Sequence, residues 1–254
     1  MTFGLGASHY GMNISDKTIL ITGANRGIGQ ALLNEALARG AKRVYAGMRT
    51  VVEHSDPRVT PLALDVTNVD DIQRAAAQIA ELDLLINNAG IAKYDDLTRS
   101  TLIEEHFDVN FFGVFRMTQA FLPHLKRSKG AIINNLSLVA LAPLPVIPSY
   151  AISKAAALNM TQSFRALLKA DGVSVHASIL GPIDTEMNRG LDIPKATTAS
   201  AAQGIYDGLS REEEEIFPDP SSQQIAEGWR NGVAKALEHE FSAFVPATAA
   251  ADVF

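Results

Sequence analysis

The sequence predicts one α/β domain, a doubly wound parallel sheet with helices on both faces in three layers. Three observations predict it. Short β-rich runs alternate with longer stretches of helical periodicity. A glycine-rich turn follows the first β-rich run directly. No internal repeat, low-complexity segment or linker divides the 254 residues, a length that one large α/β domain accommodates.

The elements follow in order. Thr18–Thr22 is an apolar run ending at glycine, the pattern of a buried parallel strand. Ile28–Arg39 has apolar residues at helical spacing and is closed by Gly40. Arg43–Ala46 and Val59–Leu64 read as the second and third strands, Val69–Ala80 as a helix, Leu82–Ile86 as a strand and Ser100–Lys126 as one long helix. Ala131–Leu136 is a strand, Ser149–Ala170 a second long helix, and Val173–Leu180 a strand closed by Gly181-Pro182. Repeated β-α-β order with right-handed crossovers gives the doubly wound sheet. Beyond it, Ala199–Leu209 reads as a helix, Glu214–Phe217 as a last strand and Ser221–Phe241 as a last helix. Residues 1–16 are expected to be a flexible lead-in, and Ala247–Phe254 a frayed tail. Residues 184–254 supply the substrate-side loop and the closing helices. The acidic run Glu212–Glu215 reads as a solvated face.

Composition excludes several functions. Hydrophobic residues make up 47% and charged residues 20%, as in ordinary globular proteins. There is no cysteine, so disulfides, thiolate metal sites and a cysteine nucleophile are excluded. No metal site is expected. A net charge of -6 gives no basic footprint for nucleic acid. Met1 to Asn13 lacks a basic stretch followed by an apolar run, so no signal peptide is read there. No stretch approaches the roughly 20 apolar residues that cross a bilayer. A cytoplasmic protein without membrane partners is the expectation.

The turn after the first strand is Thr22-Gly23-Ala24-Asn25-Arg26-Gly27-Ile28-Gly29. Glycines let backbone approach a pyrophosphate. The following helix N-terminus offers free N–H donors and a positive dipole end. A purely structural turn is the competing reading. Asp65-Val66 ends the third strand, where a carboxylate and a backbone N–H can reach an adenine. Asn87-Asn88-Ala89-Gly90 ends the fourth, at the crevice where strand order reverses. Together these turns, all at carboxyl ends of strands, favour a dinucleotide site.

The reacting group follows the fifth strand. Tyr150 and Lys154 are four residues apart and share a helix face. A neighbouring ammonium is expected to lower the phenol pKa, so that Tyr150 exchanges a proton with a substrate oxygen. Ser137 can donate to the same oxygen. Singly, each of these is common on ordinary helices and turns.

From about Lys17 to Thr185 the chain resembles the short-chain dehydrogenase/reductase family, in its single-domain branch with a Rossmann fold. The resemblance rests on Thr22–Gly29, Asp65, Asn87–Gly90, Asn110, Ser137, Tyr150, Lys154 and Gly181–Thr185, in the family's order and spacing. It implies Tyr150 as general acid/base, Lys154 as tuner of Tyr150 and binder of the nicotinamide ribose, and Ser137 as polariser of the carbonyl. It implies that Asn110 holds a water leading from Lys154. Asn88, Ala89 and Gly90 would line the adenosine ribose side. Pro182, Ile183 and Thr185 would meet the nicotinamide or phosphates.

No carboxylate ends the second strand, whereas Arg49 follows it and Arg26 lies in the glycine turn. Two guanidinium groups suit a 2′-phosphate, so NADP(H) is the expected cofactor. Leu138, Val139, Leu144 and Met187 are expected to line an apolar pocket for a small carbonyl or alcohol. Reduction of a ketone or aldehyde is the expected activity. An NAD-preferring alcohol dehydrogenase, an epimerase and a non-catalytic NADPH sensor are the alternatives. The link from Arg49 to Val59 is too short for the family's usual helix. A homodimer or homotetramer is implied by resemblance, with the two long helices as the dimer contact.

Overall fold

The computed structural model describes residues 11–245. Its core is a seven-stranded, wholly parallel sheet in the order β3-β2-β1-β4-β5-β6-β7. The strands are β1 Thr18–Thr22, β2 Arg43–Met48, β3 Val59–Ala63, β4 Leu84–Asn87, β5 Ala131–Asn135, β6 Ser174–Ser178 and β7 Glu215–Ile216. Alternation of side chains along each strand feeds two separate cores. Ile19 and Ile21 of β1 face one, with Leu84 and Ile86 of β4, while Leu20 and Leu85 face the other. Helices α1 (Gly27–Ala38) and α6 (Thr198–Ser210) cover the first face. Helices α2 (Val69–Gln78), α4 (Val114–Ser128) and α5 (Pro148–Leu168) cover the second. This is the three-layer, doubly wound Rossmann arrangement. The strand order reverses between β1 and β4, which opens a crevice at their carboxyl ends.

Several expectations need correction. The long helix from Ser100 is not uniform. It runs as α3 (Ser100–Phe107), a π-helical stretch over Asp108–Gly113, and then α4. The wider π turn rotates Asn110 into the protein, where it is fully buried. The last helix is two helices, α7 (Pro220–Arg230) and α8 (Val233–Phe241). Gly232 adopts extended backbone between them, and glycine carries a propensity cost of about 1 kcal/mol inside a helix. The lead-in is not loose over 11–16, because Ile14 is buried in the core. The expected frayed tail lies outside the described residues.

The acidic run is a solvated face only at its start: Glu212 is exposed, Glu213 and Glu214 are half-buried, and Glu215 is buried. Glu215 on β7 is only 3% exposed. It pairs with Arg165 and Lys235, each at 2.8 Å. Burial without these partners would cost a carboxylate dearly, and the two cations make it tolerable. The link between β2 and β3 holds no helix, as its length implies. No helix among the described residues is long and apolar enough to cross a membrane.

Candidate active site

A cleft of about 820 Å³ occupies the crevice at the carboxyl ends of β1 and β4. The glycine turn forms its floor. Gly23 and Gly27 take φ of +67° and +56°, values that side chains disfavour. A Cβ on Gly29 would lie 2.1 Å from the Gly23 carbonyl oxygen. Helix α1 starts at Gly27 with no side-chain cap and no acidic residue in its first turn. Its first N–H groups therefore point into the cleft unpaired by capping side chains. This is an anion cradle, and it fits a dinucleotide pyrophosphate.

The turn is braced from β4. Thr22 Oγ1 accepts from the backbone N–H groups of Asn88 and Ala89, both at 3.0 Å. Asn88 Nδ2 donates to the carbonyls of Thr22 and Gly23 at 2.9 and 3.2 Å. Asn135 Nδ2 in turn donates to Asn88 Oδ1 at 3.0 Å. Asn88 thus lines the cleft, as expected, but its amide is spent on holding the glycine turn rather than left for a ribose.

Of the residues read from sequence, Gly23, Asn25, Arg26, Gly27, Ile28, Gly29, Arg49, Asp65, Val66, Asn88, Ala89, Gly90, Thr185 and Met187 line the cleft. Asp65 Oδ1 accepts from the Thr67 backbone and hydroxyl at 2.9 and 2.7 Å, which fixes the loop. Arg26 forms an ion pair with Glu186 across the cleft mouth. Ser137, Tyr150, Lys154, Pro182, Ile183, Leu138, Val139 and Leu144 do not line it. Ile183 is buried in the core instead, at 1% exposure. Leu138 packs partly buried in a third cluster, and Leu144 is exposed.

The three reacting side chains do lie together, next to the cleft but not lining it. Ser137 Oγ accepts from the Val139 N–H at 3.4 Å and lies near enough to the Tyr150 phenol to favour its ionised form. Lys154 Nζ sits 5.7 Å from the centre of the Tyr150 ring and donates to the Asn135 carbonyl at 2.8 Å. A Cβ placed on Gly90, which lines the cleft, would come within 3.7 Å of Lys154 Nζ. Gly90 is therefore the thin wall between cleft and lysine.

The electrostatics run against the expected tuning. Burial pushes the Tyr150 phenol up to about 12, although the nearby Ser137 hydroxyl pulls the other way. Burial also brings Lys154 down to about 8. The lysine has no carboxylate partner among the described residues, and desolvation dominates both groups. In this state the phenol keeps its proton at neutral pH, which is the acid form.

Asn110 Oδ1 accepts from Ile91 N at 2.9 Å, and its Nδ2 donates to Ile91 O at 2.9 Å and Ser153 Oγ at 3.0 Å. Its side chain holds the wall and α5 together. Ser153 Oγ donates to the Tyr150 carbonyl at 2.7 Å.

Other residues matter that sequence reasoning missed. Asp95 accepts from the Ser149 hydroxyl and, at 3.3 Å, from its N–H, pinning the start of α5 beside Tyr150. Asp219, only 1% exposed, accepts from Gly181 N at 2.8 Å and shapes the turn after β6. His106 lies 6.2 Å from the Tyr150 ring. Its Nε2 accepts from Lys93 N at 3.0 Å, so Nδ1 carries the proton and donates to Leu102 O. It is a wall residue beside the Tyr150 ring. A lone aspartate in a loop gives no sequence signal of such a bond.

Residues 17–195 match the family model described as short chain dehydrogenase. The chain belongs to this family, and is an oxidoreductase of that class. Among its relatives, the 11-beta-hydroxysteroid dehydrogenase-like 3 protein of Arabidopsis thaliana is 32% identical over 225 residues, covering 79% of this chain and 72% of the relative. The 3-oxoacyl-acyl-carrier-protein reductase FabG of Vibrio cholerae is 32% identical over 205 residues, covering 76% and 83%. A short chain dehydrogenase from Burkholderia cenocepacia, crystallised in complex with NADP, superposes with a TM-score of 0.83 at 38% identity, covering 92% of this chain and all of that one.

Proposed function

We propose that this protein is an NADP(H)-dependent reductase of a small, apolar ketone or aldehyde. The observation that carries the reading is that Ser137, Tyr150 and Lys154 lie together, with Lys154 behind Gly90, beside a cleft whose glycine turn fits a dinucleotide. The related Burkholderia enzyme crystallised with NADP supports the choice of cofactor. So do Arg26 and Arg49 at the cleft mouth, and the absence of an acidic side chain in β2. Arg49 is exposed and has no hydrogen-bond or ion-pair partner among the described residues.

The N-terminus of α1 and the glycine turn would hold the pyrophosphate. Arg49 and Arg26 would take the 2′-phosphate, Asp65 and Val66 the adenine, and Lys154 the nicotinamide ribose. When bound, the cofactor supplies the hydride for the carbonyl carbon. Ser137 donates a hydrogen bond to the carbonyl oxygen and stabilises the charge that develops there. Tyr150 Oη gives that oxygen its proton, for which the protonated phenol is already the resting form. The Lys154 ammonium stabilises the phenolate left behind. Exposed Met187 in the cleft supports an apolar substrate.

A cytoplasmic location and a homodimer or homotetramer belong to the same reading. The lack of cysteine suits a reducing compartment. Exposed Phe112, Phe115 and Ile152, from the π segment, α4 and α5, suit a self-contact. A panel of ketones and aldehydes, followed by loss of NADPH absorbance, tests the function. Turnover of an apolar carbonyl with NADPH, and weaker turnover with NADH, is the expected result. Tight NADPH binding without turnover of any carbonyl would point to a sensor, and a preference for NADH would overturn the cofactor assignment.

A further inference from the structure

Two arginines stand at the mouth of the cleft, and they differ. Among the described residues Arg49 is exposed without a partner, whereas Arg26 is held by Glu186. Both residues of this pair line the cleft, and both are largely exposed, at 68% and 55%. Arg26 caps the start of α1, on the glycine turn. Glu186 opens a short helical turn, Glu186–Asn188, on the far rim after β6. The pair therefore ties the two rims together. Backbone proximity supports the contact, since a Cβ on Gly27 would meet Thr185 Cγ2 at 3.5 Å. Arg189 Nη2 lies 3.8 Å from the other Glu186 oxygen, which leaves Glu186 shared between two cations.

We propose that Glu186 is a specificity-determining residue which competes with the cofactor 2′-phosphate for Arg26. The inference rests on the reading of the cleft as an NADP(H) site. A 2′-phosphate placed between Arg49 and Arg26 brings its negative charge against the Glu186 carboxylate. Either Glu186 stays and repels it, or the carboxylate leaves Arg26 and turns to Arg189. Both outcomes weaken NADP(H) relative to the same protein without the carboxylate. A 2′-hydroxyl asks nothing of Arg26, so NAD(H) binds with the rim pair intact. Glu186 thus narrows the preference that the two arginines create. It also makes the release of the 184–189 rim a consequence of the 2′-phosphate and not of the dinucleotide in general. Exposed ion pairs are weak, so the expected change is a few-fold.

Calorimetric titration of wild type and Glu186→Gln with NADP+ and with NAD+ tests this. Glu186→Gln should bind NADP+ about two- to fivefold more tightly, with the NAD+ constant unchanged. The gain should shrink in high salt, where exposed charges are screened. Unchanged binding of both cofactors would overturn the proposal while leaving the cofactor site standing. Equal weakening of both would also overturn it, because Glu186 would then only be bracing the rim. A wild type that binds neither dinucleotide removes the cofactor reading, and this inference with it. Thermal melts of the two proteins should coincide, since the pair is exposed.

Discussion

Two buried lysines teach different lessons. Lys154 behind the cleft and Lys235 on α8 are both 5% exposed. Lys235 meets Glu214 at 2.6 Å, Glu215 at 2.8 Å and Glu238 at 2.9 Å. Burial alone would pull it down, but its hydrogen bonds with Glu214 and Glu215 carry it above the ordinary lysine value. Lys154 has a backbone carbonyl and a phenol ring for neighbours and falls to about 8. Matched charge makes a clasp, here fastening α8 to β7 and α5 through Arg165. An unmatched charge kept buried costs stability, and such a cost persists where chemistry needs it.

The comparison can be broken or sharpened by experiment. The largest effect is expected at the phenol beside Lys154. Tyr150→Phe should lower kcat/KM for carbonyl reduction by about 10²- to 10⁴-fold, with NADPH affinity held, as read by NADPH absorbance and by titration. Retained turnover would remove Tyr150 from the chemistry. In the clasp the damage should instead be to folding. Lys235→Met leaves Glu214 and Glu215 with Arg165 and His239 as their remaining partners and should cost about 1–3 kcal/mol in denaturant unfolding. Unchanged stability would show that the clasp is not what holds α8.

Lys154→Met should do the reverse, raising stability at pH 7 while abolishing turnover. The sign follows from the lowered pKa. The folded protein binds fewer protons than the unfolded chain between about 8 and the ordinary 10.5, so the cost of the buried ammonium is full below 8 and fades as pH rises to 10.5. The gain should be at most about 3 kcal/mol at pH 7, and it should vanish towards pH 10.5. Glu214 in the clasp behaves oppositely at the acid end. Burial would raise its pKa, but its bonds to Lys235 and His239 hold it near 2. The stability it lends above pH 4.5 is lost as pH falls towards 2.

The smallest effect concerns the mouth of the cleft. Arg49→Ala should weaken NADPH binding about tenfold, the loss of one charge-assisted contact, and leave NADH within a factor of two. Equal losses for both cofactors would place Arg49 on a part the two share.

How much of this was legible in sequence depended on distance along the chain. Strands β1 to β6, the glycine turn and the Tyr150–Lys154 pair are local patterns, and the strand bounds read from periodicity lie within two residues of those in the structure. The bonds that make a site of them are not local. Ser149 to Asp95 spans 54 residues, Asn135 to Asn88 spans 47, and Arg26 to Glu186 spans 160. Periodicity carries no trace of such pairings. The π turn that buries Asn110 was hidden too, because one extra residue per turn leaves the apolar pattern of a helix almost intact. Glu215 misled for a related reason. Its run of acids looks solvated until α5 and α8 bring Arg165 and Lys235 to it. The direction of the Tyr150 shift was misread since burial, which decides it, is a property of the packed protein.

The contrast between the two lysines can be measured in one experiment, a nuclear magnetic resonance titration of the lysine side chains in the cofactor-free protein. Lys154 should lose its proton near pH 8, with Lys235 still protonated above 10.5. Coincident titration of both in the ordinary lysine range would contradict the account.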